Sequence, residues 1–310
     1  MRAVVALGGN ALSPPTGAGG VEEIRSALDV VAGPLADLVA RGDSLVLTHG
    51  NGPQVGRILL QQQAAAAVVP PMPMDVCGAE SVGQLGYLLA QSIDSALAAR
   101  GLATRALCVL TRVVVDPADP AFHRPTKPVG PAYDEAEARR LAATTDHAFV
   151  AMPDGRWRRV VPSPRPVRIV EEDALVDLCG RADVVIAAGG GGVPVVDDGG
   201  RLHGVDAVID KDLTAARLAW LCAADVLLLL SDVAAVMRGF GTPDATAITR
   251  LTTREARELH HAGAFPAGSM GPKVEAACEF VEATGARAVI TDLGSLLAAV
   301  DGVAGTQVVP

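Results

Sequence analysis

The chain has 310 residues, of which 50% are hydrophobic, 20% charged and 3% aromatic, and its formal net charge is -9. A chain of this length and apolarity can bury a sizeable core, so the composition excludes a disordered protein. The negative charge and the scarcity of aromatic side chains argue against nucleic acid as a partner. The most apolar segment, 218–237, is broken by Asp225 and Asp232 and falls short of the about 20 apolar residues that span a bilayer, so no membrane partner is expected. Five cysteines without a CxxC pair predict reduced thiols and a cytoplasmic protein.

The first part of the chain predicts two strand, turn and helix units. Residues 2–7 form a short apolar strand that stops at the glycine turn 8–10, and residues 21–40 have helical periodicity. A second strand at 44–48 runs into the turn 49–52, which precedes another helix. Because parallel strands end at the same edge of a sheet, both turns should offer free backbone N–H groups at that edge.

The next stretch predicts a long helix and then a change in composition. Apolar residues at helical spacing predict a helix over 75–100, and residues 103–116 predict one strand. Nine of the 21 prolines then lie within 117–166, together with short strand-like and helix-like pieces. A linker would also be rich in proline, but these pieces favour an inserted small subdomain that acts as a lid.

A glycine string follows the most strongly predicted central strand. Residues 184–188 are a buried apolar run that ends in the four glycines 189–192, and the sequence Asp210-Lys211-Asp212 later opens a helix. Free N–H groups, a helix start and a cation together are typical of a phosphate site. The alternative is that these glycines make only a tight turn and that the two aspartates cap a helix. The common signatures are absent, since GxGxxG would need glycine at Pro194 and no GxxxxGK[ST] occurs.

The remaining elements continue the alternation of strands and helices. Further strands are predicted at 167–170, 225–231 and 286–292, and Thr252 with Glu255 predicts a capping box. Residues 303–309 are a candidate edge strand. The fold class predicted from this order is α/β with a doubly wound, mainly parallel sheet.

Two kinds of catalysis are disfavoured and one remains. A serine hydrolase is suggested by Ser269 in a near match to GxSxG, but no strand directly precedes that serine. The six histidines share no metal-ligand spacing, and His49 could equally contact a ligand or be structural. The glycine turns and the rare lysines Lys127, Lys211 and Lys273 instead suit phosphoryl transfer between two anions.

Eight segments give the chain a family resemblance. It resembles the carbamate kinases of the amino-acid kinase superfamily in ALGGNAL, THGNGPQVG, MDVCGAESVGQLGYLL, PTKPVGPAY, VPSPRP, AAGGGGVPVV, VIDKDLTAA and GSMGPKVEAA, which cover nearly the whole length in order. The resemblance implies a single amino-acid kinase domain over residues 1–310, built as a three-layer α/β/α sandwich with a protruding subdomain at 117–166. It also implies a homodimer and reversible phosphoryl transfer between ATP and carbamate with Mg²⁺, run towards ATP in the catabolism of arginine and carbamoyl phosphate.

The same resemblance implies a set of site residues. Lys127, Lys211 and Lys273 would neutralise the phosphates, and Asp212 would orient the lysines. The phosphates would hold Mg²⁺, so no side chain is expected to ligate it directly. The carbamate and the transferred group would be held by Gly8, Gly9, Asn10, Gly50, Asn51 and Gly52. The nucleotide would contact Gly189, Gly190, Asp210, Lys211, Ser231, Asp232, Val236, Met237, Met270 and Lys273.

One position departs from the wider superfamily. Many of its members have a lysine two residues before the first glycine pair, where this chain has Ala6, and carbamate kinases also lack it. Lys127 from the insert would replace that charge, which disfavours a kinase for another carboxylate. A catalytically inactive nucleotide-binding regulator is the alternative of a different class, and the three lysines with Asp212 argue against it. Carbamate is already an anion, so no general base is needed.

Overall fold

Strands and helices alternate along the chain, as the hydrophobic periodicity predicts. A computed structural model describes residues 1–8, 12, 19–265 and 270–310. The elements in chain order are β1 (Arg2–Leu7), α1 (Val21–Ala40), β2 (Ser44–His49), α2 (Gly52–Ala65), α3 (Met74–Ala98), β3 (Ala106–Cys108), β4 (Arg112–Val115), β5 (Lys127–Tyr133), α4 (Glu135–Thr144), β6 (Ala148–Ala151), β7 (Trp157–Val161), β8 (Pro166–Ile169), α5 (Glu172–Cys179), β9 (Val184–Ile186), β10 (Val193–Asp198), β11 (Arg201–Gly204), α6 (Lys211–Leu221), β12 (Val226–Leu230), β13 (Val236–Arg238), β14 (Thr246–Ile248), β15 (Arg250–Thr252), α7 (Thr253–His261), α8 (Met270–Thr284), β16 (Arg287–Thr291), α9 (Leu296–Val300) and β17 (Thr306–Val309).

The central sheet is mainly parallel, which confirms the predicted fold class. Within the described residues it has eight strands in the order β15-β17-β16-β12-β1-β2-β9-β3. Neighbouring strands are parallel except for β16 and β17. All five residues of β12, the run VLLLL, are buried, as expected for a strand covered on both faces. The candidate edge strand at 303–309 is β17, but β15 lies outside it and is the true edge.

The sheet has a hydrophobic core on each face, which makes three layers. Alternate residues of β1 serve the two cores: Val4 and Ala6 pack with α5, α6 and α8, whereas Val5 packs with α1, α3 and α9. This two-residue alternation follows from the pleat of a strand. Among the described helices, none has the length and apolarity needed to cross a bilayer.

The single strand predicted at 103–116 is wrong, because the chain there forms two strands in different sheets. β3 is the edge of the central sheet, and β4 lies in a second sheet ordered β11-β10-β4-β8. The turn between them is held by the buried Thr111, whose hydroxyl donates to the Val109 carbonyl at 3.1 Å and accepts the Ala188 N–H at 3.0 Å. Both strands are apolar, so periodicity alone does not reveal the break.

The proline-rich segment 117–166 contains a small sheet of its own. Strands β5, β7 and β6 pair in antiparallel fashion in that order, and helix α4 lies between β5 and β6 in sequence. The sheet meets the body at α2, where Gly56 faces Gly130: a Cβ added to Gly56 would lie 3.6 Å from the Gly130 Cα. This contact brings Lys127, at the start of β5, over the carboxyl edge of the central sheet.

Candidate functional site

The described parts of the three glycine turns meet at one edge of the central sheet. Gly8 follows β1, the segment 50–52 follows β2, and Gly190 follows β9. All of them line one cavity of about 690 Å³. β5 and the start of α6 also line this cavity, so it lies where strands end and a helix begins. That is the usual ligand position in an open α/β sheet.

All three lysines of the chain line this cavity. Two of them share one carboxylate: the Lys211 Nζ donates to Asp212 Oδ1 at 2.6 Å, and the Lys273 Nζ donates to Asp212 Oδ2 at 2.9 Å. Asp212 and Lys273 are only 5% and 7% exposed. Lys127, Lys211 and Lys273 together exceed the carboxylates of Asp210 and Asp212 by one formal positive charge, and the backbone N–H groups at the start of α6 also favour an anion.

Burial and charge act on these three groups in opposite directions. For Asp212, burial favours the neutral form, but the charges of Lys211 and Lys273 outweigh it and hold its pKa below the ordinary value. For Lys211, burial lowers the pKa, but the charge of Asp212 overcomes this effect and raises it. For Lys273, burial and then the charge of Lys211 lower the pKa more than Asp212 raises it. Lys273 is therefore the lysine that loses its proton more readily of the two.

Asp210 connects the start of α6 to the proline-rich segment. Its Oδ1 accepts the Asp212 N–H at 2.9 Å, which makes Asp210 the N-cap of α6. Its Oδ2 accepts a hydrogen bond from the Lys127 Nζ at 3.2 Å. The capping interpretation of Asp210 is thus correct, and the same side chain also orients a cavity lysine.

The glycine string is required by close packing around the cavity. Gly190 has a φ of +68°, and a Cβ there would collide with the Asn51 side-chain amide. Asn51 is held in place because its Nδ2 donates to Ser81 Oγ at 2.8 Å. Gly191, with a φ of +89°, lies against the Ile209 carbonyl. The tight turn therefore brings the Asn51 amide and the start of α6 to the same wall.

A second, smaller cavity adjoins the first. It has a volume of about 190 Å³ and shares Ser231 and Asp232 with the larger one. Its other lining residues are mostly apolar: Val233, Met237, Phe240, Ala264, Phe265 and Met270. An apolar slot next to a cationic cavity fits the base and the phosphates of a nucleotide, respectively.

Some predicted residues lie elsewhere. Gly9 and Asn10, like Ser269, are outside the described residues. Gly189 is buried behind the cavity wall, where a Cβ would lie 2.5 Å from the His49 Nε2. Val236 is fully buried, and its N–H donates to Thr306 Oγ1 at 2.8 Å. Neither Gly189 nor Val236 lines either cavity.

His49, whose role the sequence leaves open, is structural in this geometry. Its side chain is completely buried and lines neither cavity, and its Nδ1 lies 3.1 Å from the Gly50 carbonyl oxygen. Burial lowers the pKa of His49 to about 4, so the ring is neutral at physiological pH. It supports the glycine string from behind.

Two charged cavity residues were not predicted from the sequence, Arg57 on α2 and Arg158 on β7. Arginines are common in this chain, so residue type does not single these two out.

Among the described residues, no three His, Cys, Asp or Glu side chains gather in a way that could hold a metal ion.

Comparisons with known proteins agree with this geometry. The model of the amino acid kinase family matches residues 1–292. The carbamate kinase of Halobacterium salinarum is 48% identical over 99% of this chain and 98% of its own length, and that of Pyrococcus furiosus is 45% identical over 100% and 99%. The solved structure of carbamate kinase from Giardia lamblia bound to AMP-PNP has a TM-score of 0.94 at 41% identity, covering 99% of this chain and 98% of that one. The chain therefore belongs to the amino acid kinase family and, within it, to the carbamate kinases.

Proposed function

We propose that the chain catalyses reversible phosphoryl transfer between ATP and carbamate, giving ADP and carbamoyl phosphate. The observation that carries this proposal is that every lysine of the chain, namely Lys127, Lys211 and Lys273, lines one cavity beside an apolar slot. Cations concentrated where two anions must meet are what phosphoryl transfer requires. The carbamate kinase relatives are the second line of support.

The main barrier that the protein can lower is electrostatic. In the direction of carbamoyl phosphate synthesis, a carbamate oxygen attacks the terminal phosphorus of ATP, and the bond from that phosphorus to the ADP oxygen breaks. Both reactants are anions, and two unit charges 4 Å apart interact by about 4 kcal/mol at an effective dielectric of 20. Lys127, Lys211 and Lys273 would offset this repulsion. Since carbamate is already ionised, no residue has to remove a proton.

The two cavities suggest how the substrates are arranged. The base would occupy the apolar slot that contains Met237 and Met270, with its phosphates directed past Ser231 towards Lys211. Carbamate would lie at the turn after β2, against Asn51 and Gly52. Gly9 and Asn10 remain proposed contacts of the transferred group.

The proposal includes Mg²⁺ bound with the nucleotide. The carboxylates of Asp210 and Asp232 line the cavity, whereas the described residues offer no cluster of three metal-ligating side chains. This donor set fits an ion held mainly by phosphate oxygens and water. Such an ion would offset phosphate charge and help to align the phosphates. Asp210 would contact it only through water.

The segment 117–166 is proposed to act as a lid over this site. Its links to the body include the Lys127 to Asp210 contact, an ion pair between Arg159 and Asp206 at 2.7 Å, and a hydrogen bond from the Tyr133 hydroxyl to Gln63 at 2.8 Å. Partly exposed polar links of this kind contribute little free energy each, so they can open and re-form.

The homodimer is also a proposal, and one exposed surface supports it. Tyr87 on α3 is 59% exposed, and Leu107 and Leu110 are 42% and 49% exposed. β3, which contains Leu107, is an edge strand of the central sheet among the described residues. An apolar patch beside an open strand edge is typical of a surface that pairs with a second copy. We call Tyr87, Leu107 and Leu110 the edge patch.

The physiological setting completes the proposal. Carbamoyl phosphate is a mixed anhydride, and such compounds readily transfer phosphate to ADP. The enzyme is therefore proposed to make ATP during catabolism of arginine through carbamoyl phosphate.

All five cysteines are free thiols, which is typical of a reducing compartment and supports a cytoplasmic location. Cell fractionation would test the cytoplasmic location. Recovery of the protein only from an oxidising compartment would contradict it.

The lysines provide the test of the proposed chemistry. Lys211→Met or Lys273→Met should lower kcat for ATP formation by about 10²-fold, because a preorganised charge at the phosphates is lost. Arg217→Met on the same helix is the matched control, since Arg217 lies over the Trp220 ring, 6.0 Å from its centroid, and outside both cavities. A folded Lys211→Met protein with near-normal turnover would contradict the assignment.

A further inference from the structure

Two arginines on the wall of the larger cavity have no part in the transfer described above. Arg57 lies on α2 of the body, and Arg158 lies on β7 of the small sheet. Neither guanidinium group forms an ion pair with a described residue. Their neighbour Arg159 differs in being paired with Asp206 at 2.7 Å, although its Nε is likewise buried without a partner among the described residues.

Both guanidinium groups have a buried nitrogen without a partner. The Arg57 Nη1 and the Arg158 Nε are shielded from solvent and make no hydrogen bond with the part of the chain that the structure describes. Arg158 is held at its other end, where Nη2 donates to the Gly130 carbonyl at 2.9 Å. Leaving a buried charged N–H unpaired costs free energy, so such groups usually have a ligand or water to bind.

Both side chains line the same cavity, and the elements that carry them meet at Gly130. Arg57 follows Gly56, which packs on Gly130, and Arg158 is hydrogen-bonded to that same Gly130. Gly130 has a φ of +69°, which a residue with a Cβ rarely adopts. Lys127 lies three residues before Gly130 on β5, so it adds a third cation to these lining residues. The apolar slot proposed for the base adjoins the cavity at different residues, Ser231 and Asp232.

We propose that Arg57 and Arg158 form an anion-binding subsite for the oxyanion of the substrate that is not the nucleotide. The inference rests on the proposed function, in which that substrate is carbamoyl phosphate in one direction and carbamate in the other. A planar guanidinium group pairs with phosphate or carboxylate oxygens through two parallel hydrogen bonds. The lysines supply positive charge, and the directed hydrogen bonds of the two arginines would add selectivity for a small anion.

The kinetic test compares the double variant Arg57→Gln/Arg158→Gln with the wild type. The KM for carbamoyl phosphate should rise by about tenfold or more, because charge-assisted hydrogen bonds are lost, whereas the KM for ADP should change little. The matched control is Arg139→Gln, which removes an arginine of the same small subdomain that is paired with Glu135 on the exposed surface of α4, outside the cavity. An unchanged KM for carbamoyl phosphate, or an equal rise in the KM for ADP, would overturn the proposal.

A binding measurement separates this inference from the proposed function. Inorganic phosphate and acetate are titrated calorimetrically into the wild type, the double variant and the control. Weaker binding of either anion by the double variant alone supports the subsite, and the anion affected shows whether it prefers phosphate or carboxylate. Equal binding of both anions by all three proteins overturns it. If the wild type makes no ATP from carbamoyl phosphate, the proposed function fails, but this titration still decides the subsite.

Discussion

At the scale of single residues, the site depends on how Asp212 is used. Both of its oxygens are occupied by lysine ammonium groups, at 2.6 and 2.9 Å, so it is not available as a proton acceptor. Its low pKa keeps it ionised at every pH where the enzyme would work. Asp212 is therefore an organiser that holds two lysines in position and favours their protonated forms.

This role predicts a change in pH dependence. Asp212→Asn removes the charge that raises the pKa of Lys211 and Lys273, so both lysines should lose their protons at lower pH than in the wild type. The alkaline limb of the pH profile of kcat/KM for ADP should therefore move to lower pH. Asp301→Asn, which removes a surface carboxylate paired with Arg41 at 2.8 Å, is the control. A lower rate with an unmoved alkaline limb would show that Asp212 does not tune the lysines.

The sequence predicted these residues because their types are rare and their positions distinctive. Lysine occurs at three positions only, and Lys211 lies between two aspartates at a predicted helix start. Arg57 and Arg158 could not be recognised in the same way, because arginine is common and their placement in one cavity depends on the contact between Gly56 and Gly130. The buried positions of Gly189 and Val236 likewise depend on packing between elements that are distant in sequence.

At the scale of elements, the sequence predicted most strands and helices, since central parallel strands are continuous apolar runs. The strands β1 and β12 and the helix α1 are examples, and the capping box at Thr252 is present as predicted. The strand at 103–116 failed because two adjacent apolar strands look like one. The buried Thr111 hydroxyl, which is bonded to Val109 and to Ala188, marks where the chain changes sheets.

The proposed lid makes a prediction at this scale. Saturating MgADP and carbamoyl phosphate should slow backbone hydrogen exchange in 117–166, because phosphates that bind Lys127 and the α6 start would hold the small sheet closed. Exchange in α1, which packs on the opposite core, serves as the internal control. Equal exchange of 117–166 with and without these ligands would rule out the lid.

At the scale of the whole molecule, the edge patch predicts assembly. The wild type should sediment as a dimer, and the double variant Tyr87→Lys/Leu107→Lys should sediment as a monomer, because charges would face each other across the paired surface. Val303→Lys is the control, since Val303 is 80% exposed elsewhere on the surface. A wild type that remains monomeric at high concentration, or a double variant that remains dimeric, would contradict the proposed surface.

The identity of the acceptor is the central claim, and one assay tests it most directly. The purified protein is mixed with ADP, Mg²⁺ and carbamoyl phosphate, and ATP is followed by luciferase luminescence. Parallel reactions replace carbamoyl phosphate by acetyl phosphate, omit Mg²⁺, or offer ATP with acetylglutamate or aspartate. The account predicts rapid ATP formation only from carbamoyl phosphate with Mg²⁺ present. Phosphorylation of acetylglutamate or aspartate without use of carbamoyl phosphate, or nucleotide binding without any transfer, would contradict it.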